Sequence, residues 1–148
     1  MYIALDIIGI SEKHHGFIIK DAVERTLCYY IPGDELISIR VEIGNDDDMP
    51  DTMGLCDKED DDEYTIYINK DLLCSPSELY RTVCHECVHI KQYHLGELEE
   101  DTYRSSFFNG QFVDHDLVEY KDRPWEVEAY QAEKDFLWAY ENNQQYAT

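Results

Sequence analysis

The sequence predicts an α+β fold, on three observations. Apolar residues recur at helical spacing in three separate stretches. Residues 36–43 place Ile37, Ile39, Val41 and Ile43 on one side and Ser38, Arg40 and Glu42 on the other. Asn109-Gly110 stands between two aromatic runs. At 148 residues a single core buries roughly 70% of the surface that the unfolded chain exposes, so one domain spanning 1–148 is expected.

The elements follow in chain order. After Ser11, a candidate cap, Phe17, Ile18, Ala22, Val23, Leu27 and Tyr30 mark a first helix that ends before Pro32-Gly33-Asp34. The alternation at 36–43 is that of a half-buried strand, and a second strand is expected at Tyr64–Asn69. Between them, Asp46-Asp47-Asp48 and residues 57–63 are strongly acidic but lack the spaced oxygen ligands and central glycine of an EF-hand, so a solvated loop is expected. Ser75-Pro76-Ser77-Glu78 reads as a cap, a first-turn proline and a capping-box glutamate, opening a second helix from Pro76 to about Leu95 with Gly96 as its stop. Asn109-Gly110 predicts a small hairpin within Phe107–Val113, and Asp122-Arg123-Pro124 opens a third helix to about Tyr140.

Composition narrows the function. With 33 acidic against 12 basic side chains the formal charge is −21, which disfavours nucleic acid and anionic membranes as direct partners. Two tryptophans, twelve tyrosines and five phenylalanines argue for a packed core over disorder despite that charge. Five cysteines form no evident disulfide framework, the first residues lack a basic leader, and no run is long enough to span a bilayer. A cytoplasmic protein is expected.

The second helix carries His85-Glu86-Cys87-Val88-His89, an H-E-x-x-H pattern. At 100° per residue two histidines four apart differ by about 40°, so their rings converge on one cation, with the intervening glutamate beside them as proton acceptor for a metal-activated water. On the same helical wheel Thr82, Glu78 and Glu86 lie near the histidines, whereas Tyr80, Val83, Cys84 and Cys87 occupy a separate core stripe. Cys84 and Cys87 form a CxxC, yet Cys87 lies about 180° from the midpoint of the histidines, and no second cysteine pair completes a four-thiolate site; core packing is expected for both.

A hydrolytic zinc site needs a third protein ligand and an open position. The metzincin extension is missing: Gln92 stands where its glycine belongs, Leu95 where its histidine belongs, and His94 is one residue out of register. The third helix instead offers Glu126 and Glu128. Glu126 falls within a mostly apolar arc with Trp125, Ala129, Ala132 and Phe136, while Glu128 points about 200° away. Small Ala129 and Ala132 permit close helix approach. Glu126 is the expected ligand, with Glu128 in reserve.

His85-Glu86-x-x-His89 followed by Glu126-x-x-Ala129 resembles the gluzincin-type metallopeptidases, particularly minimal ones related to the ImmA/IrrE and SprT-like groups. Residues 85–93, Asn109-Gly110 and 124–129 are also similar to small metallopeptidases of phage and bacterial genomes. The similarity covers about residues 75–140. It implies a zincin-like fold, zinc bound by His85, His89 and Glu126, Glu86 as general base, and a peptide or protein substrate lying along Tyr64–Asn69 as the sheet edge. The third histidine usual in SprT-like proteins is missing, so their DNA-repair role does not carry over.

Oxyanion stabilisation calls for a further donor. Tyr120, shortly before Glu126, is the expected residue, with Tyr130 and His115 as competitors. Two other functional classes fit the same sequence: an acidic interaction protein that mimics nucleic acid, and a domain stabilised by zinc without catalysis.

Overall fold

A computed structural model describes residues 1–44 and 53–146. The alternating run at 36–43 becomes a strand, but not the first. The opening apolar stretch forms β1 (Tyr2–Ile8), ahead of α1 (Lys13–Tyr30) and β2 (Leu36–Gly44). No element was expected in this run. In the fold Asp6 occupies an outward position, and Ile3, Leu5 and Ile7 pack against the core. The helix begins two residues after Ser11, and the capping position belongs to Glu12, which makes no side-chain cap bond.

Next come β3 (Gly54–Asp60), β4 (Glu63–Asn69), a 3-10 turn over Lys70–Cys74 and α2 (Pro76–His94). Residues 57–60 are therefore strand and not the expected acidic loop; Asp46-Asp47-Asp48 lies outside the described residues. Alternate burial is lost after Asp57 because this strand sits at the sheet edge, so its acidic side chains remain solvated. The chain continues through β5 (Leu98–Thr102), β6 (Ser105–Phe108) and β7 (Gln111–Asp114) to α3 (Pro124–Tyr146). The predicted hairpin is β6–β7, with Asn109 and Gly110 both at positive φ, as a tight two-residue turn requires.

The first sheet has the order β1-β2-β4-β3, with β1, β2 and β4 parallel and β3 antiparallel to β4; β5-β6-β7 form a separate antiparallel sheet. This order corrects the expectation that Tyr64–Asn69 is an edge. That strand is flanked on both sides, and among the described residues β3 is the free edge on the side of α2. Three helices and two small sheets make an α+β fold.

One face of the four-stranded sheet carries the core. Ile37, Ile39, Val41, Ile66 and Ile68 meet Ile19, Val23 and Leu27 of α1 and Leu79, Tyr80, Val83, Cys84, Cys87 and Ile90 of α2. Both cysteines of the CxxC are fully buried there, as expected of thiols used for packing. Phe17, counted among the apolar positions of the first helix, is instead exposed.

Ser75 caps α2 by accepting the Glu78 N–H at 3.4 Å, and Pro76 occupies the first turn; Glu78 does not close a capping box but pairs with Arg81. Gly96, at φ +73°, follows the helix end. α2 is covered on one side by the sheet and α1 and on another by α3. Its seam with α3 combines an apolar strip, Val88 against Ala129 and Ala132, flanked by polar side chains, with Phe136, Leu137 and Tyr140 of α3 packed against the main core. Among the described residues no helix is long and apolar enough to cross a membrane.

Candidate metal centre

The histidines of α2 lie beneath α3 and not over an open surface. His85 and His89 are each 7% exposed. Placing a second helix over them encloses the polar stripe, which the wheel of α2 alone could not reveal. Small residues at 129 and 132 are fully or almost fully buried in this seam and allow the approach.

Glu126 meets both rings. His85 Nε2 lies 2.9 Å and His89 Nε2 3.2 Å from its Oε1, and all three donor groups fall within 4.8 Å of one another. Ligands held at about 2.0–2.1 Å by a tetrahedral zinc lie about 3.3 Å apart, close to these separations. Glu128 is elsewhere: its Oε1 accepts from Lys91 Nζ at 3.0 Å and Gln92 Nε2 at 2.9 Å. The fold thus separates the expected ligand from its reserve.

The opposite face of each ring is also tied down. His85 Nδ1 stands 2.7 Å from Glu133 Oε2, and His89 Nδ1 stands 2.8 Å from Gln92 Oε1. Because both partners are acceptors, each ring carries its proton on Nδ1 when neutral, leaving Nε2 with a lone pair directed toward Glu126. Gln92 is held in turn by donating to the Trp125 carbonyl and Glu128, both at 2.9 Å; Glu133 also accepts from Arg81 at 3.0 Å.

Neither Glu133 nor Gln92 was anticipated as an orienting residue. The available signals were spacing: Glu133 stands seven residues after Glu126, hence on the same helix face, and Gln92 stands three after His89.

Glu86, Glu126 and Glu133 are 6%, 3% and 4% exposed. Burying three carboxylates beside one guanidinium leaves two negative charges unbalanced if both imidazoles are neutral, an expensive arrangement in a low-dielectric interior. Two protons or one divalent cation restore the balance. Without metal, upward shifts of both imidazoles favour keeping the protons. Burial opposes the charged imidazolium, yet hydrogen bonds to Glu126 and Glu133 and neighbouring carboxylate charge hold His85 up at about 9. His89 moves upward against the same burial penalty, chiefly through its bond to Glu126. Burial works to raise the Glu126 pKa, but bonds and charge from the two histidines pull it down to about 2. A cation can take the place of the imidazole protons at the same three atoms.

Glu86 is not a member of this donor triangle. Burial raises its carboxyl pKa, and the histidines oppose the rise. It lines a cavity of about 400 Å³ together with Leu55, Thr82, His85, Tyr120 and Tyr130. A larger concavity of about 810 Å³ lies on the open sheet face around Ser38, Arg40 and Thr65 and contains none of these groups; the smaller one holds the convergent chemistry.

Tyr120 and Tyr130 both reach the cavity. More than half of Tyr120 is exposed, but burial of its hydroxyl end, the charges of Glu126 and Glu86 and a hydrogen bond to Glu126 raise its pKa, keeping the phenol protonated. The Tyr130 ring lies 4.7 Å from that of His85. His115 is not brought to the site: it bonds to Ser106 at 3.0 Å and packs near Trp125.

On the sheet side Gly54, the first residue of β3, abuts α2 so closely that a Cβ there would stand 2.7 Å from Thr82 Cγ2 and 3.2 Å from Glu86 Cγ. The free sheet edge therefore begins directly beside the buried glutamate. No protein-family model matches the chain, and no curated protein or solved structure matches it.

Proposed function

We propose that this chain is a zinc-dependent metallopeptidase with a zincin-like fold of the gluzincin type. The observation that carries the reading is the convergence of His85, His89 and Glu126 on one point, with Glu86 beside them at the wall of a cavity. His85, His89 and Glu126 are the ligands, and two imidazoles with one carboxylate suit zinc. Bound zinc supplies Lewis acidity, which acidifies water and polarises a carbonyl.

The residues of the chain do the rest. Glu86 accepts a proton from the attacking water and returns it to the leaving amine. Its raised pKa, set by burial, favours the second transfer. Tyr120, kept protonated, donates to the oxyanion that develops on the scissile carbonyl, and Glu133 and Gln92 keep both histidines in the ligating tautomer. A peptide substrate adds to the free edge of β3, whose first residue touches the Glu86 side of α2.

The substrate is a protein or peptide, and neither nucleic acid nor membrane is a direct partner. All five cysteines are free thiols, in keeping with a reducing, cytoplasmic setting.

The experiment is a pair of measurements on purified protein. Elemental analysis is expected to give zinc in the wild type and its loss in His89→Ala. Glu86→Gln is expected to retain zinc and lose peptide cleavage by several orders of magnitude. Undiminished cleavage by Glu86→Gln would remove the assignment of that residue, and a wild-type protein unable to bind zinc would leave the acidic-mimic reading in its place.

A further inference from the structure

The first turn of α1 presents a second group of metal-competent side chains, remote in sequence from the first. One donor atom from each of Glu12, His14 and His15 lies within 4.8 Å of the others. His14 Nδ1 and Glu12 Oε2 are 3.2 Å apart, a separation suited to two ligands on one tetrahedral ion. The His14 and His15 ring centroids are 4.0 Å apart.

His15 provides an independent indication. It is only 9% exposed, and its Nε2 lies 3.1 Å from the Leu73 carbonyl oxygen. A carbonyl can only accept, so Nε2 carries the proton and Nδ1 holds a lone pair. That Nδ1 is buried and, among the described residues, has no hydrogen-bond partner. A buried acceptor left unmatched is uncommon in folded proteins. Here the unmatched nitrogen belongs to the same ring that closes the group with His14 and Glu12.

We infer that Glu12, His14 and His15 form a second cation site, ligated at His15 through Nδ1. Two imidazoles and one carboxylate select a borderline divalent ion such as zinc or cobalt over calcium or magnesium. Leu73 belongs to the turn immediately before Ser75, the cap of α2. An ion at this position therefore braces the start of α1 against the segment that leads into the helix bearing His85. The positive end of the α1 dipole opposes a cation, and Glu12 and His14 are largely exposed, so the site is the weaker of the two, by at least tenfold.

The test uses the full chain, with zinc alone as ligand, followed by native mass spectrometry and calorimetry. Wild type is expected to bind two equivalents in two steps. His14→Ala, a change at an exposed side chain, should weaken the second step at least tenfold and leave the first unchanged. His89→Ala should retain the weaker equivalent, and the double variant His14→Ala/His89→Ala should bind none.

If His89→Ala does not fold, ¹⁵N spectra of wild type decide. The His15 Nδ1 resonance should move at the second equivalent while Nε2 remains protonated. A second step undiminished in His14→Ala, or a His15 Nδ1 resonance unmoved at two equivalents, overturns the inference. A protein that binds a single equivalent, lost in His14→Ala and unaffected by His89→Ala, supports this site and refutes the proposed centre at His85.

Discussion

Glu133→Gln tests the proposed metal centre through a residue outside the proposed ligand set. The native carboxylate accepts from two donors, His85 Nδ1 at 2.7 Å and Arg81 Nη1 at 3.0 Å, while 4% exposed. Glutamine keeps the shape but has one acceptor oxygen, so either His85 or Arg81 is left facing an NH₂ group. Loss of one such bond at a buried group costs about 1–3 kcal/mol. Orienting partners of metal-bound histidines are typically worth 10–100-fold in affinity, or about 1.4–2.7 kcal/mol, so the two routes to the magnitude agree. The assay is competition for zinc against a chelator of known affinity at pH 7.5, with circular dichroism to establish folding and the His14→Ala background to remove the weaker site. A folded variant whose zinc affinity stays within twofold of its parent would refute the idea that Glu133 prepares His85 for metal.

The remaining predictions concern protons, packing and the oxyanion. Because His85 without metal holds its proton up to about 9, zinc must expel at least one proton below that pH; affinity should fall at least tenfold per pH unit between pH 8 and pH 7, and calorimetry in buffers of different ionisation enthalpy counts the protons released. The sign for metal-free stability follows from the upward shift: the His85 contribution is complete below its unfolded value near 6.5 and is lost as pH rises through about 9, so the urea midpoint of the metal-free protein should decline over that window while the zinc form changes less. Gly54→Ala forces Thr82 or Glu86 to move and should cost about 1–3 kcal/mol, with partial recovery on adding Thr82→Ser, as read from urea midpoints. Tyr120→Phe should lower kcat by about 100-fold or more with zinc content unchanged, whereas Tyr130→Phe should have a smaller effect.

The parts of the site that the sequence revealed are those that local geometry compresses into a short spacing. His85 and His89 share a face because they are four apart on a helix, and that relation holds whatever packs above them. Glu126 was separable from Glu128 because its helix places one in an apolar arc and the other nearly opposite, and the two ended with different partners. What stayed hidden depended on tertiary neighbours. The tie between Glu133 and His85 spans 48 residues, and only the docking of α3 supplies it. No strand was expected at β1, whose alternation becomes plain once Ile3, Leu5 and Ile7 have found the core and Asp6 faces outward. β3 was masked by its acidic composition, acceptable at an edge and costly in a sheet centre, and this obscured which strand forms the sheet edge beside α2. The hairpin at Asn109-Gly110 needed no such context, because the turn itself demands residues tolerant of positive φ.

The seam between α2 and α3 ties the C-terminal helix by charge along its first turns and by apolar packing further along. Around Val88, Ala129 and Ala132 the flanking contacts run through carboxylates that need compensating positive charge, whereas Phe136, Leu137 and Tyr140 join the main core. Withdrawing that compensation should loosen the first half of the helix while Phe136, Leu137 and Tyr140 keep its second half attached. The half that would let go first is the half that carries Glu126 and Glu133, so a change in ionic balance should be felt at the proposed metal centre before the rest of the fold.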